Sequence, residues 1–312
     1  MPPPAGAFQV LNSCRQHANA LSLSRTAVMS PSPAPSSYPP AERGRLLAGD
    51  GLQLAWYRWD PPGRPLGTIC LVHGLGEHAG RYGHVADAFR EAGFVFMAYD
   101  LRGHGRSGGI RGHSPGYDRT LDDLGLILGM APARPCFAYG HSLGGQYVLR
   151  QALERPSGID GVIATSPWLR LAFPAPRIKV LLGRSLHRII PSVTLASGLE
   201  QGALSRDPAV VAAYAADPLV HDRISFRQGI DMLDGGEHLL ARAEGFRLPL
   251  LLVHGSADRL TDPRATEAFY QRASSPDKTL RLWPDVFHET HNDLDWRKNV
   301  EVTVGWARSH AG

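Results

Sequence analysis

The stretch CFAYGHSLGGQYVLRQALE (136–154) decides the architecture. Its opening residues are apolar nearly throughout and read as a buried strand, while Leu143, Tyr147, Leu149 and Leu153 recur at spacings that pack a helix. Between them stands G-H-S-L-G, with Ser142 flanked by Gly140 and Gly144. A strand that turns tightly into a helix projects the intervening hydroxyl above the sheet, and the helix N-terminus stabilises negative charge there. Any side chain two positions before or after the serine would crowd a turn that strains its backbone.

The pattern G-x-S-x-G alone is weak, since composition yields roughly 0.25 matches by chance. It occurs three times, at Gly105–Gly109, Gly112–Gly116 and Gly140–Gly144. Only Ser142 has a strand before it and a helix after it. Ser107 and Ser114 lie in a glycine-rich loop, with Pro115 directly after the second. That loop also spells G-x-G-x-x-G at Gly103, Gly105 and Gly108, but further breakers follow where a pyrophosphate-binding helix would have to begin, so no dinucleotide site is expected.

Working outward, TICLVHG (68–74), FVFMAYD (94–100), PCFAYGHS (135–142), GVIATSP (161–167) and PLLLVHG (249–255) read as buried parallel strands, and LQLAWYRW (52–59) as a half-exposed one. Helical stretches fall at about 82–92, 118–130, 143–154 and 263–273, with a last strand TLRLW (279–283) before a closing helix around 296–309. This alternation predicts an α/β fold, a mostly parallel central sheet with helices on both faces. The core is expected over 44–167 and 249–312. The gap 168–248 is too long for one crossover and is expected to hold an inserted helical cap, with a helix start between Ser205 and Pro208. Residues 1–43, rich in proline and serine, are expected to form a disordered extension, and Met29 offers an alternative start.

Composition narrows the function. The 312 residues are 43% apolar and 20% charged with a net charge of +4, and no apolar run is long enough to span a bilayer. No basic block marks a nucleic-acid surface. Among the basic residues only Lys179, Lys278 and Lys298 are lysine, a bias that suggests GC-rich coding and a bacterial source. Cys14, Cys70 and Cys136 are odd in number, and the last two sit in strand-like runs, so they are expected as buried thiols in a reducing, cytoplasmic setting.

A serine hydroxyl needs a base to remove its proton, and the base needs a carboxylate to orient it. Asp258 in HGSAD follows a buried strand, and His288 in FHETH lies on the loop after the next strand, both at the sheet edge where Ser142 stands. Asp262 is the rival acid but precedes Pro263 as a helix N-cap would. His291 is the rival base. Oxyanion donors are expected from the backbone N–H groups of Leu143 and of Leu75, the latter in the glycine-rich loop HGLGEH (73–78). His288, Glu289 and His291 are one residue short of a zinc-binding H-E-x-x-H and follow a strand rather than lie on a helix, so no metal or other cofactor is expected.

Together HGLGEHAGRY, AYDLRGHGRSGG, YGHSLGG, HGSADRLTDP and FHETHND resemble the monoacylglycerol lipases and related small esterases of the α/β-hydrolase superfamily, over about residues 45–310. The resemblance implies an α/β-hydrolase fold, a triad of Ser142, Asp258 and His288, and oxyanion donors at Leu75 and Leu143. It also implies that Glu77, Arg81 and His291 shape the alcohol-binding end of the pocket. The expected activity is hydrolysis of monoacylglycerols or similar lipid esters; an acyltransferase, an aminopeptidase or a noncatalytic receptor of the same fold are the alternatives. RIKVLLGRSLHRIIP (177–191) carries an apolar stripe that either packs the cap onto the core or lines an acyl tunnel and touches lipid, making the protein peripheral at a membrane.

Ser142→Ala is expected to abolish turnover, and substitutions at Asp258 or His288 to cost on the order of 10³ in kcat. Steady-state rates check this: Ser107→Ala and Ser114→Ala should remain active.

Overall fold

The computed structural model describes residues 32, 39–174 and 177–312. Cys14, Met29 and most of the expected N-terminal extension lie outside the described residues. In chain order the strands are β1 (Glu42–Leu47), β2 (Gln53–Trp59), β3 (Gly67–Val72), β4 (Phe94–Tyr99), β5 (Cys136–His141), β6 (Gly161–Thr165), β7 (Thr194–Ala196), β8 (Arg223–Ser225), β9 (Leu250–Gly255) and β10 (Lys278–Trp283). The helices are α1 (Gly83–Glu91), α2 (Tyr117–Gly129), α3 (Leu143–Glu154), α4 (Arg177–Leu186), α5 (Pro208–Ala216), α6 (Phe226–Arg242), α7 (Pro263–Arg272) and α8 (Trp296–Ser309).

Eight strands form one sheet in the order β1-β2-β4-β3-β5-β6-β9-β10. The pairs β1–β2 and β2–β4 are antiparallel, and every pair from β4 to β10 is parallel. Alternation along the strands feeds two cores. Cys70, Val72 and Val95 pack on one face with residues of α2, α3, α6 and α7. Ile69, Leu71, Phe94 and Phe96 pack on the other with α1 and α8. Cys70 and Cys136 are buried free thiols with their sulfurs 3.8 Å apart. The mostly parallel sheet with helices on both faces agrees with the sequence reading. β1 was not foreseen: ERGRLL is charged and largely exposed, as an edge strand tends to be, and carries no strong apolar alternation.

Residues 168–248 hold α4, α5 and α6 together with an antiparallel ribbon of β7 and β8, each too short to register as a period in the sequence. The cap of α5 is Asp207, whose carboxylate accepts from Ala209 N at 2.9 Å with Pro208 at the first helical position; Ser205 instead accepts from Asp207 N at 3.0 Å. Met232, Leu239 and Leu240 of α6 belong to the same apolar cluster as Tyr147 and Val148 of α3, so this helix is part of a core layer. Most of the stripe of 177–191 does not pack inward, Leu186 alone of its leucines being half-buried. Ile178, Leu181, Leu182, Ile189 and Ile190 are exposed, and the helix meets Ile230 of α6 through Gly183.

The elbow depends on missing side chains. A Cβ on Gly144 would lie 2.0 Å from the Val72 carbonyl oxygen, and one on Gly140 would lie 2.3 Å from that of Gly144. Gly305, on α8, has nothing within 4 Å of a built Cβ. Thermal unfolding is expected to show Gly144→Ala destabilised by about 3 kcal/mol or more, from backbone overlap with no flexible end to yield. Gly305→Ala should instead gain up to about 1 kcal/mol from helix propensity.

Candidate active site

Ser142 joins β5 to α3 with φ 52° and ψ −114°, a left-handed conformation unusual for a residue with a side chain. Its backbone is held on both sides: the N–H donates to Thr165 O at 3.0 Å, and the carbonyl accepts from Gln146 N at 3.1 Å and Trp168 N at 2.9 Å. The side chain does not cap the helix. Instead Oγ donates to His288 Nε2 at 2.9 Å, and His288 Nδ1 donates to Asp258 Oδ2 at 2.7 Å. The structure therefore brings Ser142, His288 and Asp258 into one hydrogen-bonded chain at the carboxyl ends of β5 and β9 and on the loop beyond β10.

Asp258 is surrounded by donors. Oδ1 accepts from Leu260 N at 2.7 Å and Thr261 N at 3.1 Å, and Oδ2 also accepts from Thr261 Oγ1 at 2.8 Å and His254 Nε2 at 3.0 Å. Burial would raise its pKa, but the facing His288 and the hydrogen bonds from His254 and His288 win and hold the carboxyl far below its usual range. For His288 burial acts to lower the pKa, and the charge and hydrogen bond of Asp258 outweigh it, with Glu289 and Glu77 adding in the same direction; the net shift is upward. Burial holds His141 and His291 neutral, so neither competes as a proton carrier at neutral pH. Ser166, itself at positive φ, donates Oγ to the His288 carbonyl at 2.7 Å and anchors the histidine loop. His254, Thr261 and Ser166 were missed in the sequence. The signal for His254 was present, a histidine four residues before the acid at the end of a buried strand.

Leu143 opens α3, so its N–H is one of the first four of the helix and has no intrahelical acceptor. Leu75 lines the cavity in front of Ser142. Its loop is held by Glu77, whose Oε1 accepts from Gly74 N and Tyr82 OH, each at 2.7 Å. Glu77 Oε2 accepts from Arg81 Nη1 at 2.6 Å, and the same guanidinium forks onto Glu289 at 2.6 and 2.7 Å. Glu289 was seen in the sequence only as part of a failed zinc motif. Burial raises the pKa of Glu77; for Glu289 burial acts the same way, but the Arg81 charge prevails and lowers it.

Of the three residues expected at the alcohol end, Glu77 lines the cavity. Arg81 lies behind it and faces a second cavity of about 380 Å³, which it shares with His78, His84, Tyr214 and Asp217. His291 lines neither: it is fully buried, stacked on Tyr82 at 4.6 Å and edge-on to His141 at 4.7 Å, so the geometry gives it a packing contact where a substrate contact was expected. The rival serines are occupied elsewhere. Ser107 donates to Asp100 O at 2.5 Å and Ser114 Oγ pairs with Thr120 Oγ1 at 2.8 Å. Asp262 caps α7 by accepting from Arg264 N at 2.9 Å. The cavity at Ser142 is about 20 Å³, room for one water-sized group, and its walls include Trp168, Leu199, Leu204, Tyr214 and Leu260. Among the described residues none of α4 lines it.

A mostly parallel sheet bearing a serine at the strand-to-helix turn, hydrogen-bonded through histidine to aspartate, defines an α/β-hydrolase. A family model described as serine aminopeptidase, S33, matches residues 63–295. The chain is 40% identical over 266 residues to an uncharacterized abhydrolase domain-containing protein of Dictyostelium discoideum, covering 84% of this chain and 28% of that one, so it spans about a quarter of that relative. It is 33% identical over 265 residues to the monoacylglycerol lipase of Mycolicibacterium smegmatis, covering 83% of this chain and 94% of that protein. The crystal structure of the monoacylglycerol lipase of Paleococcus ferrophilus superposes with a TM-score of 0.78 at 37% identity, covering 82% of this chain and 99% of that one. The chain belongs to the serine aminopeptidase S33 family of α/β-hydrolases and, within it, is monoacylglycerol lipase-like.

Only neutral His288 can accept the Ser142 proton, and its pKa is raised, so the competent form is lost as pH falls through that raised value. The kcat/KM profile is expected to show an acid limb above the free-histidine value of about 6.5. In Asp258→Asn the limb should move to lower pH while kcat falls. A profile flat down to pH 5 in the unsubstituted protein contradicts the assignment.

Proposed function

We propose that the chain is a carboxylic ester hydrolase that cleaves monoacylglycerols or similar lipid esters through an acyl-enzyme on Ser142. The observation that carries this reading is the continuous hydrogen-bonded path from Ser142 Oγ through His288 to a carboxylate with four further donors. Ser142 Oγ attacks the ester carbonyl as His288 Nε2 takes its proton, and the tetrahedral oxyanion is met by the N–H groups of Leu75 and Leu143. The intermediate collapses, His288 returns the proton to the departing alcohol oxygen, and a water activated by the same imidazole hydrolyses the acyl-enzyme. Glu77 stands where the alcohol leaves.

Relatives named monoacylglycerol lipase support a glycerol ester as substrate. The aminopeptidase reading carried by the family's description finds less support: a substrate ammonium needs a free carboxylate, and all four oxygens of Glu77 and Glu289 already accept from Gly74, Tyr82, Arg81 or Asn292. The part of 168–248 that precedes α6 acts as the cap, and Leu199, Leu204 and Tyr214 must part to admit an acyl chain into a cavity this small. Among the described residues no helix is long and apolar enough to cross a membrane. The exposed Ile178, Leu181 and Ile189, at 82%, 69% and 75%, instead form a patch suited to resting on a lipid surface, with Arg184 and Arg188 beside it.

Initial rates on monoacylglycerols and simple esters of increasing acyl length test the reading. We expect kcat/KM to rise with length, each buried methylene contributing up to about 0.8 kcal/mol, until the site is full. Leu181→Asp combined with Ile189→Asp should depress rates on vesicle-borne monoacylglycerol and spare a dissolved acetate ester. Cleavage of aminoacyl amides in preference to esters contradicts the reading.

A further inference from the structure

We propose that Glu289, acting through Arg81 and Glu77, is a positioning residue that clamps the oxyanion loop (73–77) to the loop carrying His288. The inference rests on the serine hydrolase reading and concerns how two halves of that site are kept in register. They come from distant parts of the chain. One half ends at Glu77, which holds Gly74 N and so fixes the path of the backbone to Leu75. The other begins at Glu289, the residue directly after His288, whose own N–H donates to Leu204 O at 2.8 Å. Arg81 is the link, with one arm shared between Glu77 and Glu289 and a second on Glu289 alone.

The geometry favours alignment over binding. Both Arg81 arms are engaged by carboxylates, its guanidinium carbon lies over the Tyr214 ring at 4.7 Å, and Arg81 does not line the cavity at Ser142. Side-chain exposures of 9% for Arg81, 3% for Glu77 and 2% for Glu289 make this a largely buried cluster. Such clusters are poor sources of stability, because desolvating the ions offsets most of their attraction. What a forked, bidentate pair does supply is fixed geometry. Oxyanion donors act only when they lie within a few tenths of an ångström of the developing charge, and a misplacement of 1 Å can cost 10²-fold in rate.

The cluster has two carboxylates and one guanidinium, and His288 lies next to it. The other titratable groups about His288 are Asp258, His254, His141 and His291. Neutralising Glu289 removes negative charge from beside the imidazole, which must lower the pH at which the base is lost. A residue that served packing alone would not move that limb.

The test compares the purified protein with Glu289→Gln and Arg81→Lys on two esters of one fatty acid, the ethyl ester and the 1-glyceryl ester, with Ser142→Ala in parallel. The clamp predicts that Glu289→Gln loses roughly 10- to 100-fold in kcat on both esters, with KM changed by less than about threefold. Its acid limb should shift to lower pH. Arg81→Lys, which keeps the charge and loses the fork, should show the same equal loss and serves alone if Glu289→Gln does not fold. A loss confined to the glyceryl ester, a rise in KM at constant kcat, or, in Glu289→Gln, a lower kcat with an unmoved acid limb overturns the clamp. Variants as active as the unsubstituted protein overturn it too, while leaving the hydrolase reading intact. Absence of Ser142-dependent turnover of either ester would remove that reading and the clamp together.

Discussion

The structure turns on the close approach of α3 to β3. Gly144 can sit against the Val72 carbonyl only because it has no side chain, and that contact sets where the helix begins. Once α3 starts there, Ser142 is forced into a left-handed conformation with its hydroxyl above the strand ends. The same turn points the first N–H of the helix toward that hydroxyl's surroundings. Strain of this kind, on the order of 1–3 kcal/mol, persists only where neighbours over-determine it. Here Thr165, Gln146 and Trp168 do so through three backbone hydrogen bonds.

Charge is distributed around the site with two different purposes. Asp258 collects donors on both oxygens and stays ionised, which in the proposed reaction fixes the His288 tautomer and favours the imidazolium formed when the serine proton moves. Glu77 and Glu289 share a single guanidinium and divide its attraction. The first arrangement prepares a proton acceptor. The second ties together loops that are more than two hundred residues apart in sequence. Both are largely buried, and in such a setting an ion pair fixes geometry more than it adds stability.

Much of this was legible because it rests on local pattern. The five buried strands and α3 appear within a residue or two of where apolar runs and the glycine-flanked serine put them. What escaped depends on partners distant in the chain. ERGRLL is a strand because β2 is beside it, and nothing in its own alternation says so. Arg81 and Glu289 are each unremarkable until the fold places them 2.6 Å apart. The stripe of α4 illustrates the limit of periodicity. Ile178, Leu181 and Leu182 announce an amphipathic helix, yet these side chains face solvent while Gly183 lies against Ile230 of α6.

In the proposed reaction ester cleavage passes through a covalent acyl group on Ser142. Rapid quenching of a monoacylglycerol reaction in acid, followed by proteolysis and mass spectrometry, reads it directly. Within the first turnover the peptide containing Ser142 is expected to gain the mass of the free fatty acid less one water. Turnover with no modified peptide, or with the acyl group on another residue, would contradict it.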